Sequence, residues 1–215
     1  MSSHLTDYQS QLELLSQKTS ILFDEKEKAR ENSFTLHRQI IKLCGNSIKL
    51  MHRGELEKAE TYLNHAKEAF QSLSPVLSAH PDIFYGGFIQ SAQKEYAEAR
   101  CYQAIILSKP IPTIEELQVD LAPYLNGLGE AIGELRRHIL DHLRQGDFTR
   151  VEEFLKIMDE IYYMLNAIDY PDALTLGLRR TCDVARSLVE KTRGDLTNAL
   201  QQKRLEEALK NHAQS

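Results

Sequence analysis

The stretch FYGGFIQSAQKEYAEARCYQAII, residues 84–106, decides the fold class. Phe84, Phe88, Ala92, Ala99, Tyr102 and Ile106 recur at intervals of three, four and seven, the spacing of a helix with one face turned toward a core. Glu95 falls inside that stripe. Glu98, three residues on, is rotated by about 60° and lies at its margin one turn above. Two carboxylates on a core-facing surface are costly, because an ionised group removed from water must be compensated by a cation or by strong donors.

The same three-and-four periodicity runs through the rest of the chain, which has six prolines and ten glycines in 215 residues and no window with the alternation of a half-buried strand. The pattern predicts an all-α, single-domain antiparallel bundle of about six or seven helices. Helices are expected over 4–53, 55–79, 82–108, 114–145, 148–168 and 172–205, with a break to be looked for near Phe23-Asp24. Pro81 and Pro171 suit helix starts, Thr113 with Glu116 reads as a capping box, and Asp147 after Gly146 as an N-cap. The short connections favour antiparallel neighbours. Residues 1–205 form the expected domain and 206–215 a polar C-terminal tail.

Composition narrows the function classes. A hydrophobic share of 42% and the lack of any long apolar run give no membrane span, and the N-terminus has no charged-then-apolar targeting pattern, so a cytoplasmic protein is expected. Cys44, Cys101 and Cys182 are odd in number and widely spaced, which suits buried thiols rather than disulfides or zinc. A net charge of -5 means that any surface for nucleic acid must be a local basic patch. No nucleophile elbow, phosphate-binding glycine loop or nucleotide-binding fingerprint is present, which removes serine hydrolases, kinases and P-loop enzymes, and the eight histidines, without HExxH spacing, read as surface or packing residues.

Two accounts of the inward glutamates remain open on spacing alone. Arg38, Arg136, Arg137, Arg179 or Arg180 could pair with them from a neighbouring helix. Alternatively, a divalent cation could sit between them. A third acid, Asp159, flanks the apolar face formed by Val151, Phe154, Leu155, Met158, Ile161, Tyr162 and Leu165, and three such oxygens suit Mg²⁺ or Mn²⁺ better than zinc. Glu134 points away from the stripe Leu128, Ile132, Leu135 and Ile139, so an ion pair is its simpler role. Arg136 and Arg137 on one helix, and Arg179 and Arg180 on another, offer planar forks that match phosphate, with surface salt bridges as the competing account. Phe84 and Tyr85 could stack on bases, although Phe84 also belongs to the core stripe.

Several segments together resemble the translin superfamily, and within it the nuclease branch typified by translin-associated factor X. These are EYAEA at 95–99, GELRR at 133–137, RQGD at 144–147, FLKIMDEI at 154–161, and the flanking helices ARENSFTLHRQIIKL and LRRTCDVARSLVE. The resemblance covers most of the chain. It implies a helical subunit that assembles into a hollow homo-oligomer, commonly an octamer, binding RNA or single-stranded DNA on its inner surface. It further implies Mg²⁺- or Mn²⁺-dependent endoribonuclease activity, with Glu95, Glu98 and Asp159 as metal ligands and catalytic acids. Two positions depart from the family pattern: Lys94 stands where glutamine is expected and His37 where serine is usual. Lys94, beside the acids, is a supporting candidate together with Glu134. A non-catalytic translin-like binding shell, and a helical scaffold without nucleic acid, are the rival expectations.

Overall fold

A computed structural model describes residues 2–73, 80–84 and 87–213, with the side chains of 2–6, 81 and 84 left aside. The described residues form helices and no strands. In chain order these are α1 (Ser2–His52), α2 (Leu56–Gln71), α3 (Pro81–Phe84), α4 (Phe88–Ile106), α5 (Ile114–Leu117), α6 (Leu121–Arg144), α7 (Val151–Asn166), α8 (Asp172–Thr175) and α9 (Leu178–Ala213).

Helix α4 is the axis of the molecule, and packs against α1, α2 and α6. Its buried residues run almost all the way round, from Ile89, Ala92 and Tyr96 to Cys101, Tyr102 and Ile105, as befits a helix enclosed by neighbours rather than lying on a surface. The α1–α2 pair turns through Gly54, whose φ of 76° uses the left-handed region open to glycine. Small residues of α2, Ala59, Ala66 and Ala69, are buried, and the Ser47 hydroxyl donates to the Ala59 carbonyl at 3.1 Å across the contact. On the other side of α4, helices α6, α7 and α9 pack on one another. At the α4 C-terminus, Arg150 donates to the carbonyls of Ile106 at 3.0 Å and Ile105 at 3.4 Å, and the Ile105 oxygen also accepts from the Ser108 N–H at 3.1 Å.

Several expected boundaries shift for identifiable reasons. Helix α1 is unbroken at Phe23-Asp24. The helix expected over 114–145 is two: the Thr113–Glu116 capping box starts α5 as foreseen, but Gln118 turns left-handed at φ 56° and Asp120 begins α6, with Pro123 in a first turn that needs no backbone donor there. Leu176 and Gly177, at φ 51° and 87°, likewise divide the helix expected from 172. Asp147 does not cap α7. Arg150 holds that position, while Asp147 accepts from the Thr149 N–H and pairs with His142, both at 2.8 Å. Helix α9 continues to Ala213, through the segment expected to be a tail. All three cysteines are free and buried, and no described helix is long and apolar enough to cross a membrane.

From Asp7 to Glu25 every side chain of α1 is exposed. Among them Tyr8, Leu12, Leu15 and Leu22 repeat at three, four and seven, an apolar stripe without cover among the described residues.

Candidate metal centre

The crossing of α4 and α6 creates the site. Gly127 lies where the two backbones nearly touch: a β-carbon there would stand 2.5 Å from the Lys94 carbonyl oxygen and 2.9 Å from the Glu98 nitrogen. This approach brings Glu130, one turn along α6, against the acids of α4. One carboxylate oxygen from each of Glu95, Glu98 and Glu130 lies within 4.8 Å of the other two. Oxygens bound to one Mg²⁺ are at most about 4.2 Å apart, twice the usual metal–oxygen distance, so a small inward closure would let all three reach one ion. A hard, all-oxygen set fits Mg²⁺ or Mn²⁺.

Glu98 is 8% exposed and has no hydrogen-bond donor among the described residues. Burial, with repulsion from Glu95, Glu130 and Glu134, pushes its carboxyl up to about 8, against the attraction of Lys94. Burial also raises Glu95; Lys94 opposes the shift, and Glu130 and Glu134 add to it. Two ionised carboxylates 4.8 Å apart repel by about 3 kcal/mol at an effective dielectric of about 20. Among the described residues the cation paired with these acids is Lys94, whose ammonium is 2.7 Å from Glu130 Oε1 and 3.9 Å from Glu95 Oε1.

Beside the acids opens a cleft of about 750 Å³ between α4, α6 and the start of α9. Lys94, Glu98, Glu130, Arg180 and Thr181 line it, and Gly129 and Gly133 keep the α6 wall low. Arg180 has no carboxylate partner among the described residues. Acids for a cation and two basic groups for an anion thus share one opening.

Behind the acids a polar chain enters the core. Glu134 pairs with His52 Nε2 at 2.6 Å, His52 Nδ1 lies 3.3 Å from the Tyr102 hydroxyl, and that hydroxyl lies 3.2 Å from His138 Nδ1. Burial, followed by the proximity of His142 and His52, pushes His138 down to about 4, with Asp141 opposing and Arg150 reinforcing the shift.

The structure joins Glu95 and Glu98, as the stripe suggested, but places Asp159 elsewhere. Helix α7 packs mainly on α6 and α9, and Asp159 receives two 2.8 Å hydrogen bonds from Arg193 of α9, beside a separate pocket. Glu130 stands in the third position that the sequence reading gave to Asp159. Its signal lay in GLGEAIGE, where Glu130 and Glu134 share a face at i and i+4 amid glycines that a helix uses only for close approach. Glu134, for which an ion pair was expected, meets His52 of α1. Arg136 ties α6 to α9 through Asp195 at 2.9 Å and Thr192 at 3.0 Å. Arg137 is 57% exposed, 4.0 Å from Asp141, and Arg179 is 87% exposed, 3.7 Å from Asp169. Of the four arginines, Arg180 alone lines the cleft. Tyr85 and the Phe84 side chain lie outside the described residues.

No family model matches the sequence. An uncharacterized protein of Methanocaldococcus jannaschii is 31% identical over 187 residues, which cover 86% of this chain and 82% of that protein. Among solved structures, AfC3PO bound to duplex RNA is similar with a TM-score of 0.80 and 34% identity, over 88% of this chain and 97% of that one. AfC3PO in another crystal structure gives 0.78 and 33%, over 88% and 98%. Apo-NeC3PO, at 0.70 and 23% over 87% and 96%, shares the fold. With the helical architecture and these near-complete overlaps, the chain belongs to the translin/C3PO family.

Proposed function

We propose that the protein is a Mg²⁺- or Mn²⁺-dependent endoribonuclease that cuts single-stranded or partly unpaired RNA within a homo-oligomeric shell, an octamer, with Glu95, Glu98 and Glu130 as the ion's ligands. The observation that carries this reading is Glu98: a buried carboxyl group, without a donor among the described residues, aimed at two more acids beside a cleft that also holds Lys94 and Arg180. That AfC3PO forms a complex with duplex RNA supports nucleic acid as the class of ligand. When bound, the ion would supply Lewis acidity to the scissile phosphate and lower the pKa of the attacking water.

The chain's own residues define the rest. Arg180 offers a planar fork to phosphate oxygens, and Lys94 a point charge. Before loading, Glu98 keeps its proton at neutral pH, and ligation requires that proton to leave. His52 fixes Glu134 behind the ligands, which holds that carboxylate in one rotamer.

Cleavage of a labelled RNA oligomer, with Mn²⁺ or with EDTA, tests the reading. Cutting is expected only with the ion, and E98Q and E130Q are expected to lose it by at least 100-fold while remaining folded. Equal cutting by wild type and both variants would refute the assignment. One observation favours a second reading, a non-catalytic shell for RNA or single-stranded DNA: Lys94 already neutralises part of the acid cluster. Salt-sensitive RNA binding without cleavage under any divalent ion would select it.

A further inference from the structure

We propose that Lys94 is a tethered counter-ion that makes metal and nucleic acid bind cooperatively: it occupies Glu130 when the ion is absent and transfers to a phosphate oxygen when the ion arrives. The inference rests on the metal-dependent reading of the cleft and adds a role for a residue that departs from the family pattern.

Three observations carry it. The Lys94 ammonium lies 2.7 Å from Glu130 Oε1, so it uses a carboxylate that the ion also needs. Its backbone cannot retreat, because the Lys94 carbonyl is pressed against Gly127 of α6. Its side chain is 28% exposed and lines the cleft that Arg180 also faces, so rotation of the stem carries the charge toward the position of a bound strand. An ammonium is a compact point charge on a flexible stem and exchanges partners without the geometric demands of a guanidinium.

Competition follows from charge and space. A divalent ion held by Glu95, Glu98 and Glu130 repels an ammonium at the same carboxylates, and the displaced cation turns toward the cleft. A phosphate that meets it there removes that cost. The strand therefore tightens the ion, and by linkage the ion tightens the strand by the same factor. A structural salt bridge would do neither.

The experiment measures Mn²⁺ affinity directly on the full-length protein, by the electron paramagnetic resonance of unbound Mn²⁺. It is run with and without a saturating phosphorothioate oligonucleotide whose integrity is checked on a gel. Wild type should bind Mn²⁺ on the order of tenfold more tightly with the strand present. K94Q should bind it about tenfold more tightly than wild type without the strand, and lose most of the coupling. K94R, which keeps the charge, should retain competition. A K94Q affinity equal to or weaker than that of wild type overturns the proposal. E98Q separates the two levels of failure. If E98Q weakens Mn²⁺ binding but K94Q does not tighten it, only the role of Lys94 falls. If neither wild type nor K94Q binds Mn²⁺, or E98Q leaves binding unchanged, the metal-centre reading falls and takes this proposal with it.

Discussion

Replacing Gly127 by alanine tests the contact on which the site is built. The new methyl would lie 2.5 Å from the Lys94 carbonyl oxygen, 2.9 Å from Ala97 Cβ and 2.9 Å from the Glu98 nitrogen. Two of these are backbone atoms of a buried helix, so no rotamer relieves them. Ordinary contact begins near 3.4 Å, and α4 and α6 must separate by about 1 Å at the crossing. Overpacking of this kind typically costs 1–3 kcal/mol, and the helix-propensity gain of alanine over glycine, about 1 kcal/mol, offsets part of it. Contacts this short with main-chain atoms put the cost at the upper end of that range, so we expect a net loss of about 2 kcal/mol, seen as a melting temperature lower by roughly 4–8 °C in a chain of this length. Because the displacement falls between Glu98 and Glu130, Mn²⁺ affinity should drop as well. Gly133 is the internal control: its nearest atom, Leu188 Cδ1, is 3.7 Å away, so G133A has room and should raise the melting temperature by roughly 2–4 °C. Calorimetry of the three proteins at one concentration decides the matter. A G127A protein as stable as wild type, or a G133A protein destabilised like it, would refute this register of α4 on α6.

Two further predictions concern residues outside that crossing. D159N should cut RNA within about threefold of wild type, since its carboxylate is engaged by Arg193 rather than by the acid cluster; in the same assay a loss as deep as that of E130Q would return Asp159 to the site. His138 supplies a pH dependence. Its folded pKa of about 4 lies below the ordinary 6.5, so stability is complete above pH 6.5 and declines as pH falls from 6.5 toward 4, where the unfolded chain takes up a proton that the fold resists. Full conversion would give about 3 kcal/mol, and partial solvent exposure reduces this to about 1–2 kcal/mol. H138Q should therefore flatten the denaturation midpoint between pH 6.5 and 4, and an unchanged slope would count against a strained neutral imidazole.

Residues that depend on one helix were legible, and those that depend on two were less so. Glu95 and Glu98 announce themselves because a charged pair interrupts an apolar stripe, and that stripe needs only the period of α4. Whether Asp159 or Glu130 completes the set depends on which face of which helix meets α4, and periodicity carries no such information. The glycines of α6 held the missing hint: Gly127 sits where its partner's main chain leaves no room for a side chain. The breaks at Gln118 and Leu176 escaped for a different reason. Both residues are non-glycine in left-handed backbone, held by burial of Leu117, Val119 and Leu178 around them rather than by local preference. Lys94 was visible as a departure from the family pattern, but its grip on Glu130 required the close approach of α6.

Helix α1 has 51 residues and so spans roughly 77 Å, yet its first half touches little of its own chain. With Tyr8, Leu12, Leu15 and Leu22 in water, that half is held mainly by hydrogen bonds within one helix, a weak basis for order. In the proposed shell the missing cohesion is supplied by mass action, so protein concentration becomes a variable of the fold. Dilution should unwind the N-terminal half of α1 first and leave the α4–α6 body folded, and helicity measured across a dilution series would then fall before the core melts.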